Sequence, residues 1–174
     1  MIVLVLGGTR SGKSVFAERL ASRTTASVQY VATAHADPAD LDHTARIAAH
    51  RDRRPVGWRT HECQPQAVVD RLRALEGLVL LDALGSWVSQ HEDFAADVES
   101  LVAAIVERDG DTIVVSDEVG LAVHAPTEVG RRFADALGRC NQLVAAIADH
   151  VVLVVAGRAV ELDTFDTVWE SLGS

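Results

Sequence analysis

Eight residues near the start of the chain, Gly7-Gly8-Thr9-Arg10-Ser11-Gly12-Lys13-Ser14, constrain its fold more than any other stretch. Gly7, Gly12, Lys13 and Ser14 fit the spacing G-x-x-x-x-G-K-[ST]. The apolar run Ile2–Leu6 before them is short enough for a buried strand, and Ser14–Ala21 after them reads as the start of a helix. Glycines let such a loop curl round a polyphosphate with its N–H groups turned inward. The helix N-terminus adds partial positive charge. Lys13 suits the β- and γ-phosphates, and the Ser14 hydroxyl suits Mg²⁺. Average composition yields such a match by chance in about one chain of this length per hundred. Lys13 is also the only lysine present, every other basic residue being arginine. A compact ammonium has been kept where one is wanted.

The pattern downstream fits the α/β class that this start demands. Strands are expected at Ile2–Leu6, Ser27–Thr33, Gly57–Glu62, Leu78–Leu81, Thr112–Ser116 and His150–Ala156. Helices are expected from Ser14 to about Arg23, and at Leu41–Arg53, Pro65–Leu75, Phe94–Arg108 and Thr127–Asp149. A loop or short helix surrounds Trp87, and the tail Arg158–Ser174 is weakly patterned. Alternating strands and helices imply an α/β P-loop NTPase fold of RecA-like type: a mainly parallel central sheet with helices on both faces. The 174 residues suit one domain. Functional residues should gather at the carboxyl ends of the strands.

Charge narrows the partners. A formal net charge of −9 argues against a nucleic-acid surface or an acidic membrane. No apolar run approaches the length of a membrane span. Cys63 and Cys140 stand far apart without a C-x-x-C motif and read as free thiols in a reducing compartment. With no signal-peptide pattern, a cytoplasmic location is expected.

Three further positions carry chemistry. Asp82 ends the run Val79-Leu80-Leu81, where a carboxylate can hold Mg²⁺ opposite Ser14 or cap a helix. Glu118 follows the run ending at Ser116 and reads as a general base, a second metal contact or a solvated loop acid. His50 precedes Arg51-Asp52-Arg53-Arg54-Pro55. Neutral imidazole is a good nucleophile toward phosphorus, and the arginines would absorb phosphate charge. Taken alone, a histidine among arginines is more often a plain surface residue.

Taken together these residues resemble the bifunctional adenosylcobinamide kinase / adenosylcobinamide-phosphate guanylyltransferase family of cobalamin biosynthesis. The likeness covers nearly the whole chain. It rests on the phosphate loop with Ala17-Glu18, on Tyr30-Val31-Ala32-Thr33-Ala34, and on Arg46-Ile47 with His50–Pro55, Trp58, Thr60 and Glu62. It continues through Leu80-Leu81-Asp82, Trp87-Val88-Ser89, Ser116, Glu118-Val119-Gly120, Arg132-Phe133, Asp135, Gly138, Asn141-Gln142, Asp149 and Val154–Gly157. The resemblance implies a kinase step from ATP or GTP onto adenosylcobinamide. A guanylyl transfer through His50 onto adenosylcobinamide phosphate follows, with Lys13 catalytic in the first step and Mg²⁺ held by Ser14 and Asp82. It implies nucleotide contacts at Gly7, Gly8, Thr9, Arg10, Ser11, Gly12, Lys13 and Ser14. Further contacts are implied at Ala32, Thr33, Ala34, Arg51, Asp52, Arg53, Arg54, Glu62 and Asp82, and the assembly implied is a homotrimer. The chain departs from the family pattern at Asp117, usually Asn, at Ala122, usually Gly, at Val123–Pro126 and at Ala134. The alternatives are a one-step P-loop kinase for another small hydroxyl substrate and a nucleotide-binding module without turnover.

Overall fold

The computed structural model describes residues 1–24, 27–34, 48, 51–121, 125, 127–164 and 166–168. Its centre is a seven-stranded sheet in the order β3-β2-β4-β5-β1-β6-β7. The strands are β1 (Ile2–Gly7), β2 (Val28–Ala32), β3 (Arg59–Glu62), β4 (Leu78–Asp82), β5 (Thr112–Asp117), β6 (His150–Val155) and β7 (Arg158–Glu161). All neighbours pair in parallel except β6 and β7. The helices that accompany them among the described residues include α1 (Lys13–Ala21), α2 (Val68–Ala74), α3 (Leu84–Ser89), α4 (Val98–Glu107) and α5 (Glu128–Ala145).

The runs Ile2–Leu6 of β1, Leu78–Leu81 of β4 and Ile113–Val115 of β5 are unbroken and apolar because both faces of the sheet are covered, and β2 is interrupted by the buried Gln29. Side chains alternate between two clusters. Leu4, Val31, Val79, Leu81 and Val114 face one cluster, which receives Leu72 of α2, Trp87 of α3, Leu101 and Ile105 of α4, and Leu137 of α5. Val3, Val5, Tyr30, Leu80 and Ile113 face the other, which receives Ala17 and Ala21 of α1. Four helices thus cover one face, and among the described residues α1 alone covers the other. Each fully buried Leu or Ile contributes about 1.5–3 kcal/mol relative to exposure.

Register brings the strand ends into line. Gly7 lies beside Asp117, Ala32 lies beside both Asp82 and Glu62, and Asp82 lies beside Val115. One strand, β5, therefore separates the strand that enters the phosphate loop from the strand that ends at Asp82.

Several expected boundaries shift for identifiable reasons. Phe94–Arg108 is not one helix. A short 3₁₀ turn spans Glu92–Phe94, with Asp93 and Phe94 both at positive φ, and α4 starts only at Val98. Asp97 is the cause: its carboxylate accepts from the Ser100 N–H at 2.9 Å and caps the helix there. The first turn of Pro65–Leu75 is 3₁₀ rather than α. The long helix stops at Ala145 rather than at Asp149, whose carboxylate instead accepts from the Ile2 N–H at 2.6 Å. The tail contains β7, exposed throughout, which explains its faint pattern. The helix expected at Leu41–Arg53 falls largely outside the described residues; residues 51–53 are helical. Both cysteines are free and buried, and burial pushes the Cys140 thiol up to about 12.

Candidate nucleotide-binding site

The loop between β1 and α1 is held by its own backbone. Ser11 N–H donates to the Gly8 carbonyl at 3.2 Å, and Phe16 N–H donates to Gly12 at 2.9 Å. Gly12 has a φ of 94°, a conformation that favours glycine, and as the residue capping α1 it offers no side chain to the helix amides. Those first-turn N–H groups have no intrahelical acceptor and, with the helix dipole, favour an anion. Gly7 is required by close approach. A Cβ there would stand 2.4 Å from Ser11 Oγ and 2.7 Å from the Val154 carbonyl.

A cavity of about 450 Å³ opens over this loop, within the size range of small-molecule sites. Thr9, Arg10, Ser11, Gly12, Lys13 and Ser14 form its floor. Its walls include Tyr30, Ala32, Ala34, Arg51, Arg53, Arg54, Glu62, Asp82 and Asp117. Chain segments remote in sequence meet here because the carboxyl ends of β1, β2, β4 and β5 lie along one edge of the sheet.

The charged groups interlock. Lys13 Nζ pairs with Asp117 Oδ1 at 2.7 Å and donates to the Gly8 carbonyl at 3.3 Å. Ser14 Oγ donates to Asp82 Oδ1 at 3.4 Å, and the Tyr30 hydroxyl donates to the other Asp82 oxygen. Burial, reinforced by the Asp82 charge and hydrogen bond, raises the Tyr30 pKa above the ordinary phenol range, so Tyr30 stays a donor. The Arg54 guanidinium lies 3.6 Å from the centroid of the Tyr30 ring, a cation–π arrangement. Arg51 pairs with Glu62, and Arg53 pairs with Glu18 of α1 at 3.4 Å.

Most of the expected residues therefore meet, with four exceptions among those described. Gly7, Gly8, Thr33 and Asp52 do not line the cavity. Gly7 and Gly8 shape the loop from beneath. Thr33 is buried and braces the turn after β4: its hydroxyl donates to the Ala83 carbonyl at 2.7 Å and accepts from the Ala83 N–H at 3.0 Å. Asp52 is exposed. His50 lies outside the described residues, as do Ala122, Val123, His124 and Pro126.

Glu118 does not line this cavity. Its two oxygens accept from the Gly120 and Leu121 N–H groups at 2.7 and 3.0 Å, holding a turn. Tyr30 and Asp117, to which the sequence analysis gave no role at the site, also line the cavity. A tyrosine in a buried strand, two positions before Ala32, was the available signal, since buried tyrosines need a partner for their hydroxyl.

The fold and the site define a P-loop nucleotide-binding α/β protein. Residues 3–162 match the model of the cobinamide kinase / cobinamide phosphate guanyltransferase family, and the chain belongs to that family. It is 38% identical to the bifunctional adenosylcobalamin biosynthesis protein CobP of Pseudomonas aeruginosa, over 88% of this chain and 92% of that one. It is 33% identical to the bifunctional adenosylcobalamin biosynthesis protein CobU of Salmonella typhimurium, over 93% and 99% of the two chains. A solved ATPase of a bacterial type III secretion system overlays with a TM-score of 0.48 at 10% identity, covering 98% of this chain and 53% of that one.

Proposed function

We propose that the chain phosphorylates adenosylcobinamide with ATP or GTP and then transfers GMP from GTP to the phosphate it has made, giving adenosylcobinamide-GDP. The observation that carries this reading is the convergence of Lys13, Ser14, Asp82 and the arginines that follow His50 on one cavity, in a chain of the cobinamide kinase family. One nucleotide-binding domain serves both reactions in this reading, in a homotrimer and in the cytoplasm.

In the first reaction the acceptor hydroxyl oxygen attacks the γ-phosphorus and gives up its proton to solvent, the bond to the β–γ bridging oxygen breaks, and the nucleoside diphosphate leaves. Lys13 and the loop amides balance the charge that spreads over the phosphoryl oxygens. Ser14 and Asp82 would hold Mg²⁺, which would neutralise the same charge. Their chemistry fits it: both are hard oxygen donors, 3.4 Å apart. Tyr30 donates to Asp82, which keeps that carboxylate turned toward Ser14.

In the second reaction an imidazole nitrogen of His50 attacks the α-phosphorus of GTP and pyrophosphate leaves. A phosphate oxygen of adenosylcobinamide phosphate then displaces the histidine from phosphorus. The covalent intermediate divides one hard exchange into two easier ones. Arg51 and Arg53, both on the cavity wall, neutralise the phosphates.

Labelling with [α-³²P]GTP and Mg²⁺ tests the reading. Wild type is expected to take up label that survives alkali and is lost in acid, and His50→Ala is expected to take up none. An unlabelled wild type that nevertheless binds GTP overturns the guanylyl-histidine and leaves the one-step kinase.

A further inference from the structure

Asp117 makes a contact that the two reactions do not call for. Its Oδ1 lies 2.7 Å from Lys13 Nζ, the one ammonium of the phosphate loop, and it lines the cavity itself. The Lys13 side chain is only 13% exposed and that of Asp117 35%. A pair so placed is screened less than one at the open surface. An ammonium has three protons to give. Asp117 and the Gly8 carbonyl take two of them, so one is left for a phosphate oxygen, which then shares the ammonium's charge with Asp117.

The fold holds this carboxylate in place. Asn141 of α5 donates to the Asp117 carbonyl at 3.0 Å and accepts from Ser116 Oγ at 2.6 Å, pinning the end of β5. Gly85 of α3 leaves the room, since a Cβ there would stand 2.5 Å from Asp117 Oδ2. Asp82 ends the adjacent strand and faces the same cavity. Two carboxylates thus meet any polyphosphate that enters, and one of them occupies its lysine.

We propose that Asp117 is a built-in rival of the phosphates for Lys13, so that the site takes up a nucleoside triphosphate as its divalent-cation complex and rejects the cation-free form. A bound cation would neutralise part of the polyphosphate charge and so lessen its repulsion from both carboxylates. This rests on the nucleotide-site reading of the cavity.

The test is binding of a fluorescent N-methylanthraniloyl GTP to wild type, Asp117→Asn and Asp117→Ala, each with Mg²⁺ and with EDTA, with thermal unfolding followed alongside. Wild type is expected to bind at least about tenfold more weakly in EDTA, and both variants are expected to recover about tenfold in EDTA with little change in Mg²⁺. Asparagine keeps the shape and alanine does not, so agreement between them assigns the effect to charge, and a fold defect peculiar to one does not decide the result. Variants whose ratio of Mg²⁺ to EDTA affinity equals that of wild type overturn the proposal. So does a wild type that binds equally well in both. A wild type that binds in neither overturns the nucleotide-site reading, and this proposal with it.

Discussion

Tyr30 joins three parts of the site through one side chain. It is 1% exposed. Its hydroxyl serves Asp82, its face carries Arg54, and its ring lies 6.2 Å from that of Trp58. Tyr30→Phe keeps the ring and removes the donor to a carboxylate. A loss of about 1–3 kcal/mol in unfolding free energy is expected by urea denaturation, with Arg54 still stacked. Because Asp82 then loses the bond that orients it, Mg²⁺–GTP affinity should fall as well. An unchanged affinity would show that the Tyr30 hydroxyl does not set the position of Asp82. The residue scale also shows where sequence reading succeeds and where it stops. Gly7, Gly12, Lys13 and Ser14 are legible because the loop's requirements are local and contiguous. The pairing of Lys13 with Asp117, and of Tyr30 with Asp82, joins residues remote in the chain. No spacing rule reports such partners until the sheet order is known.

Among the elements, the start of β5 is fastened by one buried guanidinium. Arg108 follows α4 and is 8% exposed. Its Nη1 donates to the carbonyls of Gly110 and Asp111 and to Thr112 Oγ1, at 3.1, 2.8 and 2.8 Å. Its Nη2 donates to the carbonyls of Leu75 and Gly77, at 3.2 and 2.7 Å. The planar fork of arginine suits five acceptors spread over two loops, and a lysine ammonium with three donors does not. Both Arg108→Lys and Arg108→Met are expected to destabilise by about 3 kcal/mol or more, because buried carbonyls are left without donors. These loops lie at the edge of the sheet opposite the cavity. The folded fraction of either variant should therefore bind nucleotide as wild type does, which titration at low temperature checks. Strands β1, β4 and β5 were legible from their apolar runs, since burial on both faces leaves no polar alternation to confuse. Strand β7 was not, because all four of its residues are exposed and exposure imposes no pattern. Helix starts fixed by a side-chain cap, as at Asp97, were legible only to within a few residues.

At the scale of the molecule, the two ends of the sheet differ. The hairpin of β6 and β7 leaves Val155, Val160 and Leu162 about half exposed. An edge strand with apolar side chains and unpaired backbone groups invites a partner. This supports the trimer reading, with the hairpin as one contact. Sedimentation equilibrium at micromolar concentration is expected to give three chains of 18.6 kDa each, and Val160→Glu is expected to shift the distribution toward monomer. A wild type that sediments as a monomer overturns that reading. The same hairpin carries a further consequence. At its tip the Gly157 N–H donates to the Ser11 carbonyl at 2.8 Å, and a Cβ on Gly12 would lie 3.4 Å from Gly157. The tip is thus a splint on the phosphate loop. Any neighbour that grips the hairpin also grips the Ser11 peptide, so in an assembled particle the stiffness of each nucleotide cradle would be set partly from outside its own chain.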